Sequence, residues 1–292
     1  MTLLRSAIRY LYAPIFFGGL LALAIFTIET GGNKLLLLPL LLFAIGIAFT
    51  VELLLPFESA WNKSKGDAMR DWLHALVNEA SLFLSVLSIT LLTVLIPGSG
   101  IWPAEWPVWA QLVIAIIVAD FGITLVHWAS HRVELLWRFH AVHHSVQRMY
   151  GFNGLMKHPL HQALETAVGT APLVLAGMTL EVGALLGFAV AIQLLLQHSN
   201  ADYRVGPLIY VWAVAPGHRH HHLASKSKGD VNFGLFTMIW DHLLGTFEAS
   251  RPQPRDGEIG VAGRPDYPVK YGAQLLEPFR QNTDIKNGLV AD

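Results

Sequence analysis

Residues 120–144 run DFGITLVHWASHRVELLWRFHAVHH. His127 and His131 stand four apart at the end of a long apolar run, so a helix projects both from one face. His140, His143 and His144 follow at i, i+3 and i+4, and His218, His221 and His222 repeat that H-x-x-H-H spacing far down the chain. Imidazoles in such register are expensive to bury without partners. The plainer alternative is a solvated, titrating patch or an accidental His-rich tract. A register kept twice points instead to metal ligands, and His220, which breaks it, is expected to stand aside.

Composition sets the surroundings. Of 292 residues, 53% are apolar and only 14% charged, with long uncharged runs, so much of the chain belongs in lipid. A net charge of -1 gives no footprint for nucleic acid. The chain has 0 cysteines, which removes disulfides, iron–sulfur clusters and thiolate haem ligation and leaves histidine and carboxylate as ligands. The basic, apolar start is read as a retained first membrane helix rather than a cleaved leader, because no small-x-small site follows it.

Four spans are expected before the histidines, at about 11–28, 35–55, 74–96 and 108–128. Arg5 and Arg9 precede the first, and Lys63, Lys65 and Arg70 lie between the second and third, whereas PGSGIWPAEWPVW carries no Lys or Arg. The bias of basic residues then puts the N-terminus and residues 56–73 in the cytoplasm. Trp102, Trp106 and Trp109 suit the opposite headgroup region, and an even number of crossings returns His127 to the cytoplasmic side. Residues 129–165 and 198–247 are expected to form a cytosolic His-rich cap and 248–292 a cytosolic tail. The apolar stretch 166–197, broken at Pro172 and again around Gly177, Thr179 and Glu181, reads as a re-entrant hairpin, with a pair of short spans as the alternative. The whole is one membrane-embedded domain, 1–292, all-α.

Asp120, Thr124, His127 and His131 form a polar stripe on an apolar helix. A carboxylate there is costly unless partnered, and Asp120 either accepts a ligand's second ring proton or makes an interhelical hydrogen bond. His198, in QHSN, is isolated; His158 and His161, in KHPLH, are spaced i, i+3 at a helix start set by Pro159. His74 and His242 have no partners at helical spacing and read as structural. So many nitrogens exceed one tetrahedral zinc, while two metals of higher coordination fit them. Imidazole alone does not choose among zinc, copper, iron and nickel. H-E-x-x-H, the G-x-S-x-G elbow and the P-loop are all absent.

The ordered set resembles the fatty acid hydroxylase / sterol desaturase superfamily of membrane-bound di-iron oxygenases. The likeness rests on Asp120 through His131, on LWRFHAVHH from Leu136 to His144, on Lys157-His158-Pro159, and on His198-Ser199-Asn200. It continues through Gly217 to His222, through Asn232-Phe233-Gly234, and through Trp240-Asp241 to Thr246, with a weaker extension to Pro278-Phe279-Arg280. The two N-terminal spans are not covered. Thr124 stands where the family usually has Tyr, Lys157 where Arg is common, and His161 where an acidic residue is frequent.

The resemblance implies four membrane helices under a cytosolic helical cap, with two iron ions between them and O2 as co-substrate. It assigns His127, His131, His140, His143, His144, His198, His218, His221 and His222 as ligands, with His158 or His161 as additional candidates. Asp120, Asn200, Asn232 and Asp241 are expected to support them. The implied reaction is hydroxylation of an unactivated C–H bond of a lipid or sterol-like substrate admitted laterally from the bilayer, with desaturation on the same site as the alternative. The chain carries no flavin, haem or iron–sulfur motif, so an external donor is expected: a ferredoxin, a cytochrome b5-like protein or a flavoprotein. The membrane would be the cytoplasmic membrane of a bacterium or the endoplasmic reticulum of a eukaryote. Rival classes are a divalent-metal transporter and a zinc-dependent membrane hydrolase. A transporter needs ligands near the bilayer midplane, and here they gather past the end of the fourth span.

Overall fold

The computed structural model of the chain describes residues 3–95 and 100–280. Among these the regular elements are helices, joined by isolated bridges such as Pro56 to Ala201 and Trp212 to Thr237. The end of the third expected span at Ile96 and the last part of the expected tail, 281–292, lie outside the described residues.

The first rod is α1 (Leu3–Pro14), a π-helical turn (Ile15–Gly19) and α2 (Leu20–Glu29). Pro14 cannot donate to the preceding turn, and the chain absorbs the mismatch in that wider turn without ending the helix. Next come α3 (Leu37–Leu54), α4 (Ala68–Leu95) and α5 (Val108–Ser130). Among the described residues, four segments are long and apolar enough to cross a membrane: Arg5–Glu29, Lys34–Leu54, Val108–Ser130 and Leu180–Gln197. Large apolar side chains such as Phe26, Leu42 and Ile117 stand exposed on them, a surface suited to lipid rather than water. Small Ala44 and Ala48 face inward on α3 and let its neighbours approach.

The apolar stretch 166–197 falls on α7 (Pro159–Ala176) and α8 (Leu180–Gln197), 18 residues each and so about 27 Å long. The break is narrower than the sequence suggests. Helix α7 continues through Pro172 and ends at Gly177, which takes the left-handed φ of 97°; Thr179 then caps α8 through Val182 N–H. Pro172 has no N–H for the carbonyl of Val168, and that carbonyl lies over Gly122 of α5, where a Cβ would sit only 2.7 Å away. Across the same crossing, a Cβ on Gly169 would meet Ile123 at 2.9 Å. This glycine-to-glycine approach brings the histidine end of α5 against the start of α7. Trp106 and Trp109 are exposed as expected for an interface, but Trp102 is buried: its indole N–H donates to Gln111 at 2.7 Å.

The polar elements gather at one end. They are α6 (Glu134–His144), α9 (Ala215–His221), α10 (Lys226–Gly229), α11 (Ile239–Leu244) and α12 (Tyr271–Leu276). Arg9 of α1 pairs with Asp202, just past the end of α8, which places the chain's N-terminal end beside this layer.

Candidate metal centre

Four pieces of chain deliver the histidines. Helix α5 supplies His127 and, at its C-cap, His131; α6 supplies His140, His143 and His144; the end of α8 supplies His198; α9 and its C-cap supply His218, His221 and His222. All nine expected ligands are buried and fall into two groups. His127, His131, His140, His144 and His221 form one; His143, His198, His218 and His222 form the other. Within each group one ligand atom per residue lies within 4.8 Å of the rest.

The facing atoms are Nε2. His127 and His221 approach to 2.8 Å; His131 and His140 each lie 3.1 Å from His144. In the second group His198 stands 3.3 Å from His143 and 3.1 Å from His218, which is 3.2 Å from His222. Two nitrogens bound at right angles to one ion at roughly 2.1 Å would be separated by about 3.0 Å, so these spacings match neighbouring vertices of a coordination shell. The groups adjoin, with the rings of His144 and His222 4.9 Å apart and those of His218 and His221 also 4.9 Å apart.

Metal binding needs neutral imidazole with its lone pair aimed inward. Burial, reinforced by the neighbouring imidazoles, pushes His140, His143, His144, His218 and His221 well below the ordinary histidine value, and burial takes His222 to about 3. Several rings are also locked from behind. The Nδ1–H of His127 donates to the Phe233 carbonyl at 2.8 Å, that of His221 to Val231 at 2.9 Å and that of His143 to Met156 at 3.1 Å. His131 donates to the Asp230 carboxylate at 2.8 Å. Each such bond fixes the tautomer that leaves Nε2 free.

The four expected supporting residues are present, but they act on backbone rather than on rings. Asp120 does not take a histidine proton. It accepts from the N–H groups of Leu235, Phe236 and Thr237 at 2.8–3.1 Å, from the Thr237 hydroxyl at 2.8 Å and from the Trp240 indole at 2.9 Å. It thereby fixes the loop whose Phe233 carbonyl holds His127. Asp241 accepts from Phe233 and Gly234 N–H, both at 2.8 Å, from the other side. Asn232, in the left-handed region at φ 56°, donates to the carbonyls of Gly217 and Glu248. Asn200 ties the chain after His198 to Glu58 and Asn62.

The weaker candidates separate. His158 is not brought to either group. It caps α7, with Nδ1 accepting from Leu160 N–H and Nε2 donating to Leu275, so both nitrogens are used. His161 stands at the edge, in a third group with His140 and Glu165, and its Nε2 lies 2.8 Å from the Ser130 hydroxyl. His220, though buried, belongs to none of these groups. His74 lies against Lys157 and Gln274, and His242 against Tyr210, in structural roles. Asp230 and Glu165 are the functional candidates that spacing did not single out. Asp230 carries no signal beyond a polar S-K-S-K-G-D turn, and Glu165, i+4 from His161, is the acidic residue of α7.

A small chamber walled by His127, His140, His143, His198 and His218 is lined further by the apolar Ile123, Leu194, Phe233 and Leu235 and by Lys157, Glu165 and Gln197. A larger cavity of about 180 Å³ between α7 and α8 shares Ile123, Lys157, Glu165, Leu194 and Leu235 with it. The site is therefore two adjoining, desolvated imidazole groups able to bind metal, reached from a cavity among apolar helices.

That class of membrane protein agrees with its relatives. Residues 112–246 match the sequence profile of the fatty acid hydroxylase family. An ornithine lipid hydroxylase from Rhizobium tropici is 34% identical over 82% of this chain and 74% of its own. The human alkylglycerol monooxygenase is 28% identical over 51% of this chain but only 32% of its own length, and a fatty acid hydroxylase from a Lecanicillium fungus is 30% identical over 57% and 52%. No solved structure matches. The chain belongs to the fatty acid hydroxylase family, and it is an enzyme of the membrane-bound oxygenase kind.

Proposed function

We propose that the two histidine groups each hold an iron ion and that the protein hydroxylates an unactivated C–H bond of a membrane lipid, using O2 and two electrons from an external donor. The observation that carries this reading is the convergence of nine Nε2-bearing rings into two adjoining groups, in a chamber that shares lining residues with a cavity among apolar helices. Iron bound there supplies O2 activation and the oxidising strength that a saturated carbon requires. The chain's own work is to hold and to exclude. Backbone carbonyls and Asp230 keep His127, His131, His143 and His221 in one tautomer, and Phe233, Leu194 and Leu235 supply the apolar part of the chamber wall. The names of the relatives favour hydroxylation over desaturation, and the long match to an ornithine lipid hydroxylase favours a polar membrane lipid over a free hydrocarbon.

The donor, a ferredoxin, a cytochrome b5-like protein or a flavoprotein, would meet the polar layer. That layer would be cytoplasmic, because Arg9, Lys63, Lys65 and Arg70 belong to the same end as Asp202 and the histidines. The test is an anaerobic, iron-loaded, chemically reduced sample in lipid, pulsed with 18O2. The expected result is a lipid gaining one labelled oxygen, strictly dependent on iron and reductant. Activity without O2, or none in fully iron-loaded protein offered its host's lipids, would overturn the reading.

A further inference from the structure

The cavity between α7 and α8 has two unlike walls. On α8 it is small and apolar, with Gly183, Gly187 and Ala191 among its lining and open space where a Cβ on Gly187 would stand. On α7 it carries Gln162, Thr166 and Thr170 at i, i+4 and i+8, a polar stripe about 12 Å long that begins beside Glu165. The opposite face of α7, with Leu164 and Val168, is apolar and exposed. A helix packed among membrane spans that turns apolar residues outward and hydroxyls and an amide inward is lining a path for something polar. Within the stripe the Gln162 amide donates to the Thr166 hydroxyl at 3.3 Å and the Thr170 hydroxyl to the Thr166 carbonyl at 2.7 Å, so these donors are spent and acceptor oxygens are what the stripe offers, from which a hydrocarbon tail would gain nothing.

The charges narrow the ligand. Lys157, the cation among the described lining residues, is paired with Glu165 at 2.5 Å, while Glu79 adds a second carboxylate. Asn78 is 2% exposed, spends its amide N–H groups on the carbonyls of Leu155 and Lys157, and leaves its Oδ1 buried with no partner. Acceptors therefore predominate, and the available cation is already neutralised. A fatty acid carboxylate would find no counter-charge; an amide or ammonium N–H would find several acceptors. We infer that the cavity takes the N–H-bearing head or linkage region of the lipid, laid along Gln162, Thr166 and Thr170, so that oxygen enters close to that polar region rather than far down a tail. This rests on the oxygenase reading for its chemistry, but not for its binding.

Binding can be measured without turnover. Purified metal-loaded protein in nanodiscs would be titrated with N-(4-aminobutyl)hexadecanamide, hexadecanoic acid and hexadecane. The amide should bind at least tenfold more tightly than either of the others. Thr166→Val with Gln162→Leu should weaken it roughly five- to tenfold while leaving hexadecane unchanged. Metal content equal to wild type certifies folding, and if the double variant fails that check, Thr170→Val gives the same comparison with a smaller change. Equal affinity for the three probes, or an amide affinity untouched by well-folded variants, would overturn the inference. Under 18O2 the label should appear on the aminobutyl amide side, and label confined to the distal half of the chain would also overturn it. Selective amide binding without any labelled product would count against the oxygenase reading alone.

Discussion

The two histidine groups are alike where they face the centre and unlike behind it. In the five-membered group, His127, His131 and His221 each pass their second ring proton to a fixed acceptor: Phe233 O, Asp230 and Val231 O. In the four-membered group only His143 does so; the Nδ1 atoms of His198, His218 and His222, like that of His140 in the first group, are buried without a partner. A ligand whose far nitrogen is engaged is oriented before metal arrives and is a stronger base. The first group is therefore the pre-organised site, and the second is held mainly by the packing of α8 and α9.

The largest effect should come from the residue that joins them. His144 lies 3.1 Å from both His131 and His140, and its ring is 4.9 Å from His222. His144→Ala is expected to empty the first site, weaken the second and cut lipid hydroxylation by at least about 100-fold. The variant should still insert in the membrane, since the spans are untouched. Metal analysis and product assay read both parts, and normal iron with normal turnover would take His144 out of the centre.

Asp230→Ala tests the difference between the groups more selectively. It removes the acceptor behind His131 and should lower metal affinity by about 10- to 100-fold at the five-membered group alone. Competition with a chelator should then reverse the order of release, the first site emptying before the second. Parallel weakening of both sites would mean that they act as one unit.

Acidification should show a smaller, graded effect in metal-free protein. The buried rings have folded-state values below the unfolded value of about 6.5, so the folded chain binds fewer protons than the unfolded one once the pH falls below it. Their contribution to stability is complete above about 6.5 and is lost as the pH descends toward the value of about 3 held by His222. Asp230 offsets part of this at His131 alone, so rings of both groups should contribute to the decline. Melting temperatures that rise between pH 7 and 4 would contradict it.

How far the site could be read in advance follows from the range of the interactions. The ligands were legible because i, i+3, i+4 spacing on α6 and α9 is a local, periodic signal. Asp120 was legible as a carboxylate that must have a partner, but its partners, Leu235 to Trp240, lie more than a hundred residues away and include three backbone N–H groups that no sequence pattern announces. Asp230 escaped for the same reason, its contact with His131 being made across 99 positions. His158 shows the converse: spacing suggested a ligand, and the local chemistry of Pro159 made it a helix cap. In the fold, the Pro172 break was overestimated because the carbonyl it orphans is accommodated by a glycine on another helix.

The most direct measurement is the iron content of the reconstituted protein, counted per chain by mass spectrometry and resolved by Mössbauer spectroscopy. The expected result is two iron ions per chain in nitrogen-rich environments, lost in two distinguishable steps on chelation, the four-membered group first. A single iron per chain, or none retained under conditions where the protein remains folded, would contradict the paired centre.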